Sequence, residues 1–133
     1  MNALLKGVAA MTLGLTTAIA FAAPSHLTTD NQTNYQSNAF INGTVQSPYP
    51  TPKKTKKKLL WSLVQLACAP YVDSQKQCGA LIKMATDTSN PIEVGWLKMN
   101  MSTGEITPKE LSANGFKITV INAGEVIITE DKN

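Results

Sequence analysis

The sequence contains no arginine, because all 12 of its basic residues are lysine. Without guanidinium groups it lacks the bidentate contacts that proteins use to recognise phosphates and bases, which argues against specific nucleic-acid binding. Histidine and cysteine are also scarce: His26 is the single histidine, and Cys68 and Cys78 are the two cysteines. These residues do not supply a histidine-rich or four-thiolate metal site, so we expect no metal and no cofactor.

The catalytic patterns that can be recognised in a sequence are missing as well. Any Ser–His or Cys–His chemistry would need His26, which lies in a polar segment near the predicted mature N-terminus. The chain has neither a phosphate-binding nor a dinucleotide-binding glycine loop. We therefore expect a non-enzymatic protein. A small secreted hydrolase that uses acidic residues stays open as the alternative, and its available carboxylates are Asp73, Asp87, Glu93, Glu105, Glu110 and Glu125.

Residues 1–22 have the pattern of a secretory signal peptide. Lys6 precedes an apolar stretch over Gly7–Phe21, and Ala20 and Ala22 place small residues at the positions that the signal peptidase requires. We predict cleavage after Ala22, with cleavage after Ala20 as the alternative. The stretch is shorter than the roughly 20 apolar residues of a membrane-spanning helix. We therefore expect no transmembrane segment in the mature chain and an exported protein, either periplasmic or extracellular.

Residues 23–58 are rich in Ser, Thr, Asn, Gln and Pro and show no hydrophobic period. Such a segment buries too little apolar surface to offset the entropy of ordering it, so we expect a disordered tail that ends in a Pro-rich and Lys-rich linker. The linker contains a cluster of lysines, which are Lys53, Lys54, Lys56, Lys57 and Lys58. This cluster accounts for the formal charge of +3, since acidic residues outnumber lysines after it. It is either a solubilising hinge or an adhesive arm for anionic surfaces.

Residues 59–133 are expected to form the folded domain. Apolar residues recur at helical spacing at its start, which predicts a short amphipathic helix over residues 57–69. The rest alternates with period two, with a phase change near Gly95 that indicates a β-bulge and a clear hairpin over residues 116–128. We predict an α+β fold in which one short N-terminal helix precedes a small antiparallel β-meander of four to five strands. A mainly β fold is the alternative.

The two cysteines are predicted to form a disulfide. In an exported chain, an even number of cysteines is typical of a structural bridge, whereas redox pairs favour two intervening residues. A bridge between Cys68 and Cys78 would join the end of the helix to the first strand of the predicted domain. It would stabilise a domain whose core is small.

Three large aromatic residues are candidate contacts with a partner, because tryptophan and tyrosine are enriched at interfaces. They are Trp61, Tyr71 and Trp96. Tyr71 lies inside the predicted disulfide loop and is expected to be the most exposed of the three. Trp96 shares its strand parity with Ile92 and Val94, which favours a position in the core.

Turn motifs punctuate the C-terminal half of the chain. They are Thr86-Asp87-Thr88, Gly104-Glu105-Ile106-Thr107-Pro108, Asn114-Gly115-Phe116 and Gly124-Glu125. A chain with these motifs resembles small uncharacterised exported proteins of intracellular Gram-negative bacteria. The resemblance implies secretion beyond the periplasm toward a host, and it implies no activity. The sequence therefore predicts an exported binding protein whose partner is a protein or a surface polyanion.

Overall fold

The computed structural model of the chain describes residues 22–131. The predicted signal peptide, residues 1–22, lies outside the described residues except for its last one. The elements within the described range are β1 (His26–Asn31), β2 (Ser37–Ile41), β3 (Val45–Gln46), β4 (Thr55–Leu60), α1 (Trp61–Cys68), a 3₁₀ turn (Ala69–Tyr71), β5 (Gln77–Met84), β6 (Ile92–Asn100), β7 (Ile106–Thr107), β8 (Glu110–Ala113), β9 (Phe116–Asn122) and β10 (Glu125–Glu130).

The strands form two five-stranded sheets that pack face to face. Sheet I has the order β4-β1-β10-β9-β8, and sheet II has the order β3-β2-β5-β6-β7. Strands β1 and β10 are parallel, and the other neighbours are antiparallel. The two inner faces share one core, to which sheet II contributes Val94 and Leu97 and sheet I contributes Phe116, Ile118 and Ile128. Inner faces that interdigitate in this way are typical of a β-sandwich.

The fold is therefore mainly β, and the predicted α+β fold of one helix and a single meander is wrong. The prediction failed because it left out the strands that precede the helix. Residues 23–58 do not form a disordered tail: they contain β1 to β4. The predicted domain boundary at residue 59 falls inside β4, which continues directly into α1.

Strand β1 shows why composition misled the prediction. Its sequence is polar, yet it lies between β4 and β10 and receives backbone hydrogen bonds from both. Thr28 and Asn31 are buried there. Burial and pairing partners that lie far along the chain stabilise this strand, and strand propensity is known to depend on such context.

The helix is shorter than predicted at its N-terminal end. It begins at Trp61, and Lys57 and Lys58 belong to β4, where they pair with Thr29 and Thr28. Lysines are unfavourable in the first turn of a helix, because the helix dipole is positive there. The strand removes this conflict.

Two local predictions are confirmed. Between β5 and β6 the register shifts, so that Ile82 pairs with Gly95 and Lys83 pairs with Glu93. Val94 is therefore the extra residue of the predicted bulge. Strands β9 and β10 form the predicted antiparallel hairpin.

A buried polar cluster fixes the two crossings of the chain between the sheets. The Asn31 amide nitrogen donates to the carbonyl oxygens of Tyr35 (2.7 Å), Pro52 (3.1 Å) and Thr51 (3.3 Å). The Asn31 carbonyl oxygen accepts from the Thr33 hydroxyl (2.8 Å) and the Thr33 backbone N–H (3.1 Å). Both side chains are fully buried. Residues 32–36 lead from sheet I to sheet II and residues 51–54 lead back, so one amide holds both crossings.

We expect Asn31→Ala to destabilise the fold strongly. It removes the donor that the carbonyl groups of Tyr35, Thr51 and Pro52 share and leaves the buried Thr33 backbone N–H without its acceptor, and we expect a loss of about 3 kcal/mol in the free energy of unfolding. Urea denaturation followed by tryptophan fluorescence measures this loss. Asn34→Ala, in the same crossing but exposed, is the control and should change the free energy by less than about 0.5 kcal/mol. Equal urea midpoints for the two variants would contradict the assigned role.

Candidate functional site

The structure brings only some of the predicted site residues together. Trp61 and Tyr71 pack with Cys68 and Cys78 in one cluster at the end of α1 and the start of β5. The lysine cluster lies at the far edge of sheet I, and Trp96 lies on the outer face of sheet II.

Trp61 is a core residue, so its prediction as a contact with a partner is wrong. It is only 5% exposed and packs with Ile41, Val64 and the two cysteines. Its indole N–H donates to the carbonyl oxygen of Met101 at 3.3 Å. Burial of both the ring and the polar group leaves Trp61 no free surface. Tyr71 packs against the same cluster and is half-buried, so it is not the most exposed of the three aromatics.

Of the three candidate aromatic residues, Trp96 is the exposed one, with 51% of its surface accessible, and its predicted core position is wrong. The bulge at Val94 changes the parity of β6. Val94 and Leu97 face the core, and Trp96 faces outward. The alternation in the sequence after Gly95 indicates this outward position. Leu97, Met99 and Met101 continue the inner face there, which leaves Trp96 on the outer face.

The backbone of two neighbouring segments supports the Trp96 ring. A Cβ atom on Gly43, in the turn between β2 and β3, would lie 2.6 Å from Trp96 Cη2. A Cβ atom on Gly79, in β5, would lie 3.8 Å from the ring. The backbone φ of Gly43 is +83°, so glycine is required there for both the turn and the close approach. The ring is held in one orientation with its other side free.

Further side chains extend this surface across sheet II. Phe40 pairs with Leu81, and Leu81 pairs with Trp96, so the three are neighbours on the outer face, where Leu81 is itself only 9% exposed. The Lys83 ammonium lies 4.4 Å from the centre of the Phe40 ring, which is a cation–π contact. Lys98 follows on the same face, opposite Gly79. We call this set the Trp96 surface: Phe40, Gly43, Gly79, Leu81, Lys83, Trp96 and Lys98.

The lysine cluster forms an edge strand and the turn before it, which corrects the prediction of a mobile linker. Lys56 and Lys58 in β4 are exposed, and Lys57 between them is half-buried. The Lys54 ammonium donates to the carbonyl oxygen of Gln32 at 2.8 Å, and the Lys57 ammonium donates to that of Pro50 at 2.9 Å. Lysines on an edge strand oppose pairing with a second sheet. The position of this cluster is therefore typical of edge protection.

The predicted disulfide is present between Cys68 and Cys78, whose Cα atoms are 6.0 Å apart. Inside the loop that it closes, the Asp73 carboxylate accepts the backbone N–H groups of Gln77 (2.9 Å) and Gln75 (2.8 Å). These two hydrogen bonds favour the charged form and lower the pKa of Asp73. The loop is therefore ordered from within as well as by the bridge.

The family model described as the type II secretion system (T2SS) substrate NttC matches residues 1–131. The chain belongs to the NttC family. It is also similar to the crystal structure of the Legionella pneumophila type II secretion system substrate NttC, with 49% identity and a TM-score of 0.79. That alignment covers 81% of this chain and 99% of the other. Among curated proteins no match was found.

Membership of the NttC family confirms export in a coarse form. A type II substrate passes through the periplasm and leaves the cell, so the chain is a secreted protein, and the resemblance to exported proteins of intracellular Gram-negative bacteria is supported. Between residues 22 and 131, no helix combines the length and the hydropathy that a membrane span needs. In the same range, no group of three or more acidic, histidine or cysteine side chains is placed to hold a metal.

We expect the double variant Cys68→Ala/Cys78→Ala to lower the free energy of unfolding by about 3 kcal/mol, because the closed loop no longer restricts the unfolded chain. Thermal and urea denaturation measure this loss. The wild-type protein under reducing conditions should show a similar loss. An unchanged stability of the double variant would contradict a stabilising role for the bridge in this NttC-family protein.

We expect Lys56→Gln/Lys58→Gln to promote self-association, because the edge of sheet I loses the charges that oppose pairing with another copy. Light scattering over a range of protein concentrations measures this change. Lys76→Gln/Lys98→Gln removes the same charge from exposed positions away from that edge and serves as the control. Equal association of the two double variants would show that net charge alone, and not the edge, governs solubility.

Proposed function

We propose that the chain is a secreted, non-enzymatic binding protein that acts outside the bacterial cell, toward a host, by engaging a protein partner through the Trp96 surface. The observation that carries this proposal is the Trp96 ring, which is half exposed yet held against the backbone at Gly43 and Gly79. Secretion is the function-related property that the NttC family adds to it.

Exposure of a large, supported aromatic ring favours binding on energetic grounds. A tryptophan contributes more apolar area to an interface than most other side chains, and tryptophan is enriched among the residues that dominate binding energy. A ring that is already fixed loses little conformational entropy when a partner covers it. The glycines at 43 and 79 make this fixation possible, because any side chain at Gly43 would displace the ring.

The charges around the ring indicate the chemistry of the partner. Lys83 and Lys98 face outward on the same side of sheet II, and exposed Glu93 lies opposite Lys83 in the register. Lys98 is in turn close enough to Asp73 to lower the pKa of that carboxyl group. The surroundings of Trp96 therefore carry charges of both signs, and a partner with an apolar pocket for the indole and a rim of both charged types would complement this surface.

The adhesive function of the lysine cluster has less support than the Trp96 surface. Two of its five ammonium groups, those of Lys54 and Lys57, already bond to backbone carbonyl oxygens. The other three, which are exposed, border the edge of sheet I and offer weak, salt-dependent attraction.

We expect Trp96→Ala to lower the affinity of the labelled protein for the surface of cultured eukaryotic host cells at least about tenfold, as loss of a central aromatic anchor does. Flow cytometry over a range of protein concentrations measures the affinity. Leu66→Ala is the matched control, because Leu66 is an exposed apolar residue (72%) on α1, remote from the Trp96 surface.

The treatment of the cells identifies the partner class. Binding that is saturable, lost in Trp96→Ala, retained in Leu66→Ala and abolished when the cells are first treated with trypsin supports the proposal. Binding that is equal in the two variants contradicts it. Binding that heparin displaces and that Lys56→Gln/Lys58→Gln weakens contradicts it as well, and favours the adhesive function.

A further inference from the structure

A cavity of about 140 Å³ lies between the two sheets, on the opposite face of sheet II from Trp96. Its deep end is formed by Ile106, Ile118 and Ile128, each of which is almost completely buried. The disulfide and α1 close another side. Apart from one polar rim, the walls are apolar.

Small side chains create this cavity. Ala39 in β2 and Ala80 in β5 line it, and they stand opposite Ile82 and Ile41 in the register. Large side chains usually fill the space between the sheets of a sandwich, so two alanines at inner positions leave a gap. Such a gap costs stability, because the walls lose dispersion contacts. An apolar cavity of roughly 150 Å³ in another protein stays free of water and binds benzene.

Among the residues that the structure describes, Lys57 is the one charged residue in the lining of this cavity, at its polar rim. Thr29, which pairs with Lys57 between β1 and β4, lines the rim as well. The Lys57 ammonium donates to the carbonyl oxygen of Pro50 at 2.9 Å, beside Tyr49, which also lines the rim. An ammonium group has three donors, so this bond leaves capacity for an anionic ligand.

We propose that this cavity binds small monocarboxylates whose apolar part has about the size of a phenyl ring or a six-carbon chain. The apolar part occupies the space beside Ala39 and Ala80, and the carboxylate pairs with the Lys57 ammonium. A long acyl chain exceeds the volume of the cavity. A cationic ligand would be repelled by Lys57. A neutral ligand would bind more weakly than a carboxylate, because it cannot form a charge-assisted hydrogen bond with the ammonium group.

The test uses hexanoate and phenylacetate as probes and follows backbone amide shifts by NMR during titration. We expect saturable shifts at residues that line the cavity, such as Ala39, Ala80 and Ile118. Acetate, which lacks the apolar part, and hexanol, which lacks the charge, are the controls for the ligand. Both should bind at least about tenfold more weakly than hexanoate.

Two variants test the two halves of the site. Lys57→Met should weaken hexanoate binding about tenfold or more and leave hexanol binding unchanged, whereas Lys56→Met, at the exposed neighbouring position, should leave both unchanged. Ala80→Leu should abolish binding of both probes by filling the cavity. If Ala80→Leu does not fold, Ala39→Val is tested in its place, because it adds a smaller volume to the same cavity.

This site is independent of the Trp96 surface, so its failure and the failure of the proposed function are distinguishable. Trp96→Ala should bind hexanoate as the wild type does. The proposal is overturned if hexanoate gives no saturable shifts at the cavity at its highest soluble concentration. It is equally overturned if Lys57→Met and Lys56→Met bind hexanoate alike, or if acetate binds as tightly as hexanoate.

Discussion

The hydrogen bonds of Asn31 are the interaction on which the rest of this sandwich depends. The chain leaves sheet I directly after Asn31 and returns to it after Pro52, and the Asn31 amide donates to carbonyl oxygens on both paths. A buried amide with all of its groups bonded specifies one arrangement, because any displacement leaves polar groups unsatisfied. The two sheets are therefore held at a fixed position at the crossing, where a purely apolar contact would allow them to slide.

Both functional proposals follow from this fixed geometry. With the sheets in place, the inner face of sheet II borders the cavity and the outer face carries the Trp96 surface. Strand β5 contributes to both, since Ala80 faces inward and Gly79 and Leu81 face outward. The disulfide at Cys78 anchors the start of this same strand to α1. One strand thus supports an apolar cavity and an exposed aromatic surface on its two sides.

The sequence was sufficient to predict structure where the stabilising contacts join residues that are close along the chain. The hairpin of β9 and β10 and the bulge before Gly95 depend on neighbouring residues and on glycine or asparagine at turns. The pairing of Cys68 with Cys78 follows from the presence of two cysteines in an exported chain. The candidate site was less accessible to such reasoning. Trp96 faces outward because the bulge at Val94 reverses the face of the residues that follow it. Trp61 is buried because α1 packs it against Ile41 and the cysteines, which lie in other elements of the fold.

By itself, then, the sequence determined the C-terminal hairpin, the bulge, the cysteine pair and export, because each is encoded by short-range patterns. Only the tertiary structure decided that the polar residues 23–58 contain strands. Thr29 pairs with Val126 on one side and Lys57 on the other, so β1 is stable through partners near the opposite end of the chain and beyond a long connection. Amino-acid composition carries no information about such pairings. The same long-range pairing made the lysine cluster part of the edge of a sheet and placed Lys57 at the rim of the cavity.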